Sequence, residues 1–554
     1  MPHHLPCLPP RRRRSAAALL LAALWVPACT VGPDYATPQV PLPENWPGLP
    51  EGSVSVSTPQ AADASDAPAA AAAQRDAAGN ASQPGVEEGL SRWWTAFHDD
   101  TLDGLVEQAI AGNLDVQRAE ARVLEARAQR RVAGSGDEPQ LNATADASRT
   151  ERSANNTSGS AIPGSTRNLF SAGFDALWEL DIFGGVRRNV EAADADLAAA
   201  QETRRDVLVT LLAEVSREYL DLRSAQRRVA IANDNLVTQQ DTLELTRSRA
   251  TAGLASDLDL ARAEAQAAGT RATLPPLQTA ERAALHRLDV LMGRAAGDSA
   301  GTLLSEGALP PPPPRVPLGL PSELLRRRPD IRSAERAAAA ATARIGVSIA
   351  DLYPKFSLTG SLGLSSELRS DFFDNDSRYW SIGGGLDWPL LDGGLRRALV
   401  EVAEARAQDA LLNYRQVVLS AFEETANALV AFGREQERRQ TLLVQAQAQR
   451  RAADLATALN EAGLAGFLDV LQAQAQRLAA EDSLALSERD LSADYVALCK
   501  ALGGGWDAAP DVPPGDETAS PPAADAPSAN APAANAPQAR ALAANESGAP
   551  PRAE

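Results

Sequence analysis

The hydrophobic period of this chain switches from helical to alternating and back to helical, and the whole series then repeats about 210 residues later. Gly184-Gly185 returns as Gly393-Gly394, and Ala252-Gly253-Leu254 returns as Ala462-Gly463-Leu464. A duplication on this scale uses one supersecondary unit twice, and such units bury their apolar faces only against neighbours. The first copy is expected over residues 91–293 and the second over 322–506. Between them, 294–321 reads as a linker that holds the run Pro310 to Pro314.

Each copy begins with a helix, expected from about Asn113 to Val132 and from about Asp330 to Ala350. Two alternating segments follow, at about 139–151 and 169–182 in the first copy and at about 355–366 and 379–391 in the second. Phe170, Ala172, Phe174, Ala176, Trp178, Leu180 and Ile182 share one face. Ser171, Gly173, Asp175, Glu179 and Asp181 share the other, with Leu177 out of pattern. The preceding segment alternates more weakly, Leu141, Ala143, Ala145 and Ala147 against Asn142, Thr144, Asp146 and Ser148. The second copy sets Phe356, Leu358, Leu362 and Leu364 against Lys355, Ser357, Thr359 and Ser361. It then sets Trp380, Ile382, Leu386, Trp388 and Leu390 against Tyr379, Ser381 and Asp387. This is the period of a β-strand with one apolar and one wet face. Each segment has the length that a tilted strand needs to cross a bilayer. Trp178, Trp380 and Trp388, near the strand ends, suit an interfacial aromatic girdle. A sheet lying on a soluble core would alternate in the same way.

After each double glycine the period becomes helical. Val215, Leu222, Val229, Leu236 and Leu243 recur at sevens, as in a coiled-coil seam. A helix from Val186 to Thr251 would be roughly 100 Å long at 1.5 Å per residue. Gly253 supplies the left-handed stop, and a second helix returns from Asp257 to Met292. The second copy repeats this over Arg396–Glu461 and Phe467–Leu502 around Gly463. Rods of this length cannot fold into one round core and must run away from the strands.

The N-terminus fixes the compartment. Arg11 to Arg14, the apolar run Ala16 to Val26 and small Ala28 precede Cys29, which reads as a leader over 1–28 with a lipidated Cys29 at the cut. Residues 29–90 are expected to be the lipidated N-terminus and a flexible tether, Ala-, Ser- and Pro-rich over 48–90. Residues 507–554 read as a disordered tail. The formal net charge is −19. It becomes about −23 without the leader's four arginines, and a surface so acidic excludes a nucleic-acid partner. Of the three cysteines, only Cys499 is left free in the mature chain, in an apolar helical pattern. No His/Cys cluster has metal-ligand spacing, and no phosphate loop or nucleophile elbow appears. No cofactor and no enzyme activity are expected.

Four membrane strands are too few to close a barrel, and an open edge in lipid strands its backbone groups unpaired. The chain must therefore assemble with copies of itself, with polar strand faces around water and helices continuing the wall. The sequence resembles the TolC-like outer-membrane efflux channels, in their NodT-type lipoprotein branch. The resemblance rests on Cys29-Thr30-Val31-Gly32-Pro33-Asp34-Tyr35 and on Trp93-Trp94 with Phe97, Asp99, Asn113 and Asp115. It rests also on Arg327-Arg328-Pro329-Asp330-Ile331-Arg332, Ala343-Arg344-Ile345-Gly346, Tyr353-Pro354 and Leu502-Gly503-Gly504-Gly505-Trp506. It implies a mainly α chain with a membrane β part, forming a homotrimer with a twelve-stranded β-barrel that continues into a long periplasmic α-helical barrel. It also implies passive export of small molecules from a periplasmic adaptor and an inner-membrane pump of the resistance-nodulation-division type.

The resemblance assigns adaptor docking to the hairpin tips, here Gly253, Leu254, Gly463 and Leu464, although glycine alone would explain a plain turn. Asp469 matches a position where relatives narrow the tunnel, and Gln472 stands where they often carry an aspartate. Asp257 and Asp259 lie comparably in the first copy. Three copies of such a carboxylate around an axis would favour cations. Each is equally a solvated carboxylate at a helix start. Two other functions compete: a type I secretion conduit for proteins, and a structural periplasmic coiled-coil lipoprotein without strands.

Overall fold

The computed structural model describes residues 30–41, 43, 46, 90–151, 153, 155, 166–305, 307–313, 321–509 and 511–512. Cys29, the leader, residues 47–89 and nearly all of the tail lie outside the described residues. In the first copy, helices α1 (Asp100–Gly112) and α2 (Leu114–Gly134) lead into strands β1 (Gln140–Glu151) and β2 (Thr166–Leu180). The long hairpin follows as α3 (Gly185–Thr251) and α4 (Asp257–Leu291). The second copy gives α5 (Pro329–Ala350), β3 (Lys355–Ser366), β4 (Arg378–Asp387), α6 (Leu395–Glu461) and α7 (Phe467–Ala501).

Local chemistry sets these boundaries. Asp99 Oδ1 accepts the Thr101 and Leu102 amides at the start of α1. Its Oδ2 accepts the Tyr219 hydroxyl at 2.7 Å, so a helix cap also holds two elements together. Asn113 ends α1 and caps α2. Its Oδ1 accepts from Asp115 N and Val116 N, while its Nδ2 donates to Leu291 O at 2.9 Å. The sequence reading began the first helix at Asn113 and did not anticipate α1 before it. Gly184 (φ 81°) and Gly394 (φ 90°) turn the chain from sheet into long helix in the left-handed region that favours glycine.

The core lies where α1 and the sheet-proximal halves of α3 and α4 meet α6 and α7. Trp93 and Trp94 are buried and meet edge to face at 5.9 Å. Phe97 meets Tyr495 at 5.3 Å in the same packing. Cys499 is fully buried beneath them. No helix among the described residues is long and apolar enough to cross a membrane.

The expected tether over 48–90 lies outside the described residues apart from Leu90, and the described part of the N-terminal segment before it is held in place. Val31 N donates to Phe183 O at 3.1 Å. A Cβ on Gly32 (φ +95°) would lie 2.5 Å from Gly346 Cα, so the strap crosses α5 with no room for a side chain. The buried Arg188 donates to Val31 O (3.1 Å), Gly32 O (3.2 Å), Asp34 (2.7 Å) and Glu191 (2.8 Å). Trp46 stacks on Phe422 of α6 at 5.3 Å. The described residues of this strap, 30–41, 43 and 46, are thus seated on helices of both copies. The start of the expected tail is held too, since Arg205 pairs with Asp511 at 2.6 Å and lies over the Trp506 ring. Composition misses both because the partners are distant in sequence.

Arg188→Met should release the strap. The stem still packs, but charged hydrogen bonds are lost and two strap carbonyls lose their donor, about 2–3 kcal/mol in total. Limited proteolysis within residues 30–46 should accelerate roughly 30- to 150-fold, as expected if cleavage follows the open population. An unchanged cleavage rate would remove Arg188 as the latch.

Candidate channel wall and periplasmic tips

The four strands form one antiparallel sheet in the order β1-β2-β3-β4. Its register aligns the apolar faces of both copies. Leu141 pairs with Ala176, Ala176 with Gly360 and Gly360 with Ile382. The adjacent row runs Ala143, Phe174, Leu362, Trp380. Nothing among the described residues covers this face: Leu362 is 60%, Ile382 71% and Trp380 76% exposed. A sheet on a soluble core would bury these side chains, so that reading fails. β1 and β4 each keep one edge without a strand partner among the described residues.

The opposite face is polar and self-satisfied. Thr144 donates to Asp175 at 3.0 Å, Ser361 and Ser381 share a hydrogen bond at 2.7 Å, and Thr359 donates to Gly383 O at 3.2 Å. Thr144, Gly173, Gly363 and Tyr379 form one cross-strand row. A Cβ on either glycine would come within about 3 Å of the Tyr379 ring or hydroxyl, so that ring lies across both glycines.

The three tryptophans fall at both ends of the sheet. Trp178 Nε1 donates to Asp137 O at 3.0 Å, and Trp388 Nε1 to Leu352 O at 3.2 Å. Each carbonyl lies just before the first strand of its own copy, so the duplication places two indoles equivalently at the helix-proximal end. Trp388 itself follows β4 rather than lying in it, as the observed strand ends at Asp387. Trp380 stands toward the other end.

At the far end of the long helices the two tips match closely. Leu254 N donates to Arg249 O and Leu464 N to Leu459 O, both at 2.8 Å, closing the helices with a six-residue turn. Gly253 (φ 74°) and Gly463 (φ 72°) are required by that turn. The leucines after them are not: Leu254 is 78% and Leu464 77% exposed. The tips lie side by side, because Arg249 at the end of α3 reaches Asn460 at the end of α6. Asn460 Nδ2 also holds Ala465 O at 3.0 Å. That link carries no short-range sequence signal.

The constriction candidates occupy equivalent places. Asp259 Oδ2 accepts from the Ser256 hydroxyl at 2.7 Å and the Ser256 amide at 3.3 Å, a reciprocal cap at the start of α4. Asp469 Oδ2 accepts from Gly466 N at 3.0 Å at the start of α7. Within one protomer both carboxylates therefore act as helix caps, and Asp257 is exposed beside Asp259. Gln472 is exposed and faces a groove between α4 and α7, with Leu468, Leu471 and Ala475 on its own side and Arg262, Ala265 and Gln266 opposite. Arg262, which sequence reading did not single out, approaches Asp259 to 4.0 Å. Asp469, Gln472, Asp259 and Arg262 thus border one end of the hairpins. Among the described residues no His, Cys, Asp and Glu cluster is arranged to hold a metal.

An open amphipathic sheet above two matched helical hairpins is an arrangement shared with known proteins. The sequence model of the outer membrane efflux protein family matches residues 105–294 and 320–504. Nodulation protein T of Rhizobium leguminosarum bv. viciae is 33% identical over 507 residues, covering 91% of this chain and 96% of that protein. Outer membrane protein OprJ of Pseudomonas aeruginosa is 32% identical over 490 residues, covering 88% and 95%. The solved structure of the outer-membrane channel OprN superposes with a TM-score of 0.76 at 36% identity, over 86% of this chain and 100% of that one. By fold, duplication and sequence, the chain belongs to the outer membrane efflux protein family.

Proposed function

We propose that three copies of this chain close a twelve-stranded barrel in the outer membrane and form the exit duct of a tripartite efflux system. The observation that carries this is the sheet with an exposed apolar face, a hydrogen-bonded polar face and, among the described residues, two unpaired edges. Lipid is the solvent that makes such a face favourable, and only closure satisfies its edges there. Joining β4 of one copy to β1 of the next puts the polar faces around water.

The helices support the same assembly. α5 packs on both α3 and α6, whereas α2, its equivalent in the first copy, packs on α3. Leu124 and Val132 of α2 are exposed, as are Leu399, Val402 and Leu412 along α6. Quasi-equivalence seats α2 of one copy on α6 of the next and continues the helical wall beneath the barrel. The role is passive conduction of small molecules, with no catalytic chemistry. Leu254 and Leu464 meet the helical hairpins of a periplasmic adaptor, which joins the duct to an inner-membrane pump. Lipidated Cys29 gives a second membrane attachment. The strands disfavour the structural coiled-coil reading.

Planar-bilayer recording of the purified assembly, with its mass measured in detergent, tests this reading. A trimer with ohmic, cation-preferring openings is expected. Asp469→Ala should raise conductance or weaken cation preference, since it removes three charges from one ring. A non-conducting monomer would overturn the channel.

A further inference from the structure

The apolar face of the sheet ends differently on its two sides. Toward the helices it runs out through Trp178, Leu180, Phe356, Leu358 and Leu386, with no charged side chain in these rows. The indoles of Trp178 and Trp388 donate to backbone carbonyls at that end. Away from the helices the rows become charged. Beyond Trp380 comes the row Ala145, Ala172, Leu364, Arg378, then Ala147, Phe170, Ser366, and then Arg149 with Asn168. Within the four strands, the charged residues on this face are Arg149, Glu151 and Arg378, all at this one end.

Both guanidinium groups are exposed. Neither forms an ion pair or a side-chain hydrogen bond with a described residue. Arg167, on the opposite face at the same end, does have its carboxylate: it pairs with Glu367 at 2.7 Å. Glu151 stands one row beyond Arg149, at the last residue of β1, and pairs with neither arginine. The arginines on the apolar face are thus the ones left without an anion.

An arginine at the edge of an apolar face can simply reach into water. That use does not explain why guanidinium groups stand at one end alone, since a face meeting the same headgroups at both ends has no reason for the difference. The two leaflets of an outer membrane are chemically unlike. The inner one is phospholipid, and the outer one is a glycolipid whose phosphates sit on the disaccharide that bears its acyl chains. Those phosphates lie where hydrocarbon begins, which is the level at which Trp380 and Phe170 give way to Arg378 and Arg149. A guanidinium binds phosphate through two parallel hydrogen bonds and sheds water more readily than an ammonium. Arg149 is on β1 and Arg378 on β4, the two edge strands. In the closure proposed above, they come from different copies and flank the same seam.

We infer that Arg149 and Arg378 form a binding site for the phosphates of the outer-leaflet glycolipid, one site at each seam, so that the lipid clasps neighbouring copies together. This rests on the barrel reading above and adds the lipid that the barrel selects.

The test titrates the full-length assembly in detergent micelles with bisphosphorylated lipid A, its dephosphorylated form and phosphatidylglycerol. The wild type should bind the bisphosphorylated form roughly tenfold or more tighter than either of the others. Arg149→Gln/Arg378→Gln should lose that preference, and Arg167→Gln, on the polar face, should keep it. Saturating lipid A should raise the dissociation temperature of the wild-type trimer and leave that of the double variant unchanged. A wild-type trimer that binds all three lipids alike overturns the site and leaves the barrel standing, a result that needs no variant to fold. Phosphatidylglycerol binding as tightly as lipid A overturns the glycolipid as the ligand, and a preference kept by the double variant overturns the two arginines. A wild type that forms no trimer, with or without lipid, overturns the barrel reading and the seam site with it.

Discussion

Ile382→Arg should keep the chain out of the outer membrane, whereas Ser381→Arg, one residue away, should leave insertion intact and alter conductance. The strand period of two sends these neighbours to opposite faces. Ile382 lies in the apolar row with Leu141, Ala176 and Gly360, between the levels of Trp380 and Trp388, and is 71% exposed. Arginine facing lipid near mid-depth costs about 2–4 kcal/mol per copy, or roughly 6–12 kcal/mol over three copies. Ser381 instead touches Ser361 on the polar face, where the barrel reading places water and where a guanidinium stays solvated. The measurement is the fraction of chain recovered as a heat-dissociable trimer in outer membranes. Normal assembly of Ile382→Arg together with failure of Ser381→Arg would reverse the two faces and sink the barrel.

The sheet could be read from sequence because each strand keeps one apolar and one polar face, which imposes strict alternation. Phe170 to Leu180 shows it almost without error. β1 was weaker because alanine fills its apolar positions, yet the register gives Ala143 and Ala145 the same face as Phe174 and Ala172. The long helices were legible for a similar reason: heptad spacing persists over many turns and ends at a glycine that only a left-handed stop explains. At the tips, Gly253 and Gly463 were visible, but the bond between Arg249 and Asn460 was not, since it joins separate copies. Asp469 was singled out by position alone, as a constriction candidate. Within one protomer its carboxylate accepts Gly466 N, the chemistry of a helix cap.

Where the reading fell short, the missing information was tertiary. α1 has a good apolar stripe in Leu102, Leu105, Val106 and Ala109, but it is short and ends at Gly112 against the cap of α2. The strap over residues 30–46 has neither helical nor strand period. Its order comes from Arg188, Gly346 and Phe422, more than a hundred residues away. Burial of Trp46 against α6, with Tyr35 half-buried, holds this segment, and composition carries no sign of it.

Gly293→Ala is expected to destabilise the first copy severely, and Gly112→Ala nearly as much. A Cβ on Gly293 would lie 2.3 Å from Gly112 O, and one on Gly112 would lie 2.3 Å from Met292 O. Both obstacles are backbone, so no side chain can turn away, and the corner between α1 and α2 must separate from the end of α4. That separation would also break Asn113 Nδ2 from Leu291 O, a buried bond at 2.9 Å. Overpacking of this kind costs about 1–3 kcal/mol or more. At Gly293, with φ +72°, the left-handed backbone adds about 1–2 kcal/mol for any residue with a Cβ. Gly134→Ala, at a helical position with open space around it, should change stability by less than about 1 kcal/mol and controls for the loss of glycine itself. Denaturant unfolding of the detergent-solubilised protein should rank the variants Gly293, Gly112, Gly134 from most to least damaging. Because the contact is backbone on backbone, no second substitution nearby should rescue Gly293→Ala, whereas a side-chain clash would yield to a smaller neighbour. Equal stability of Gly293→Ala and Gly134→Ala would mean that the two helix ends do not meet in the folded chain.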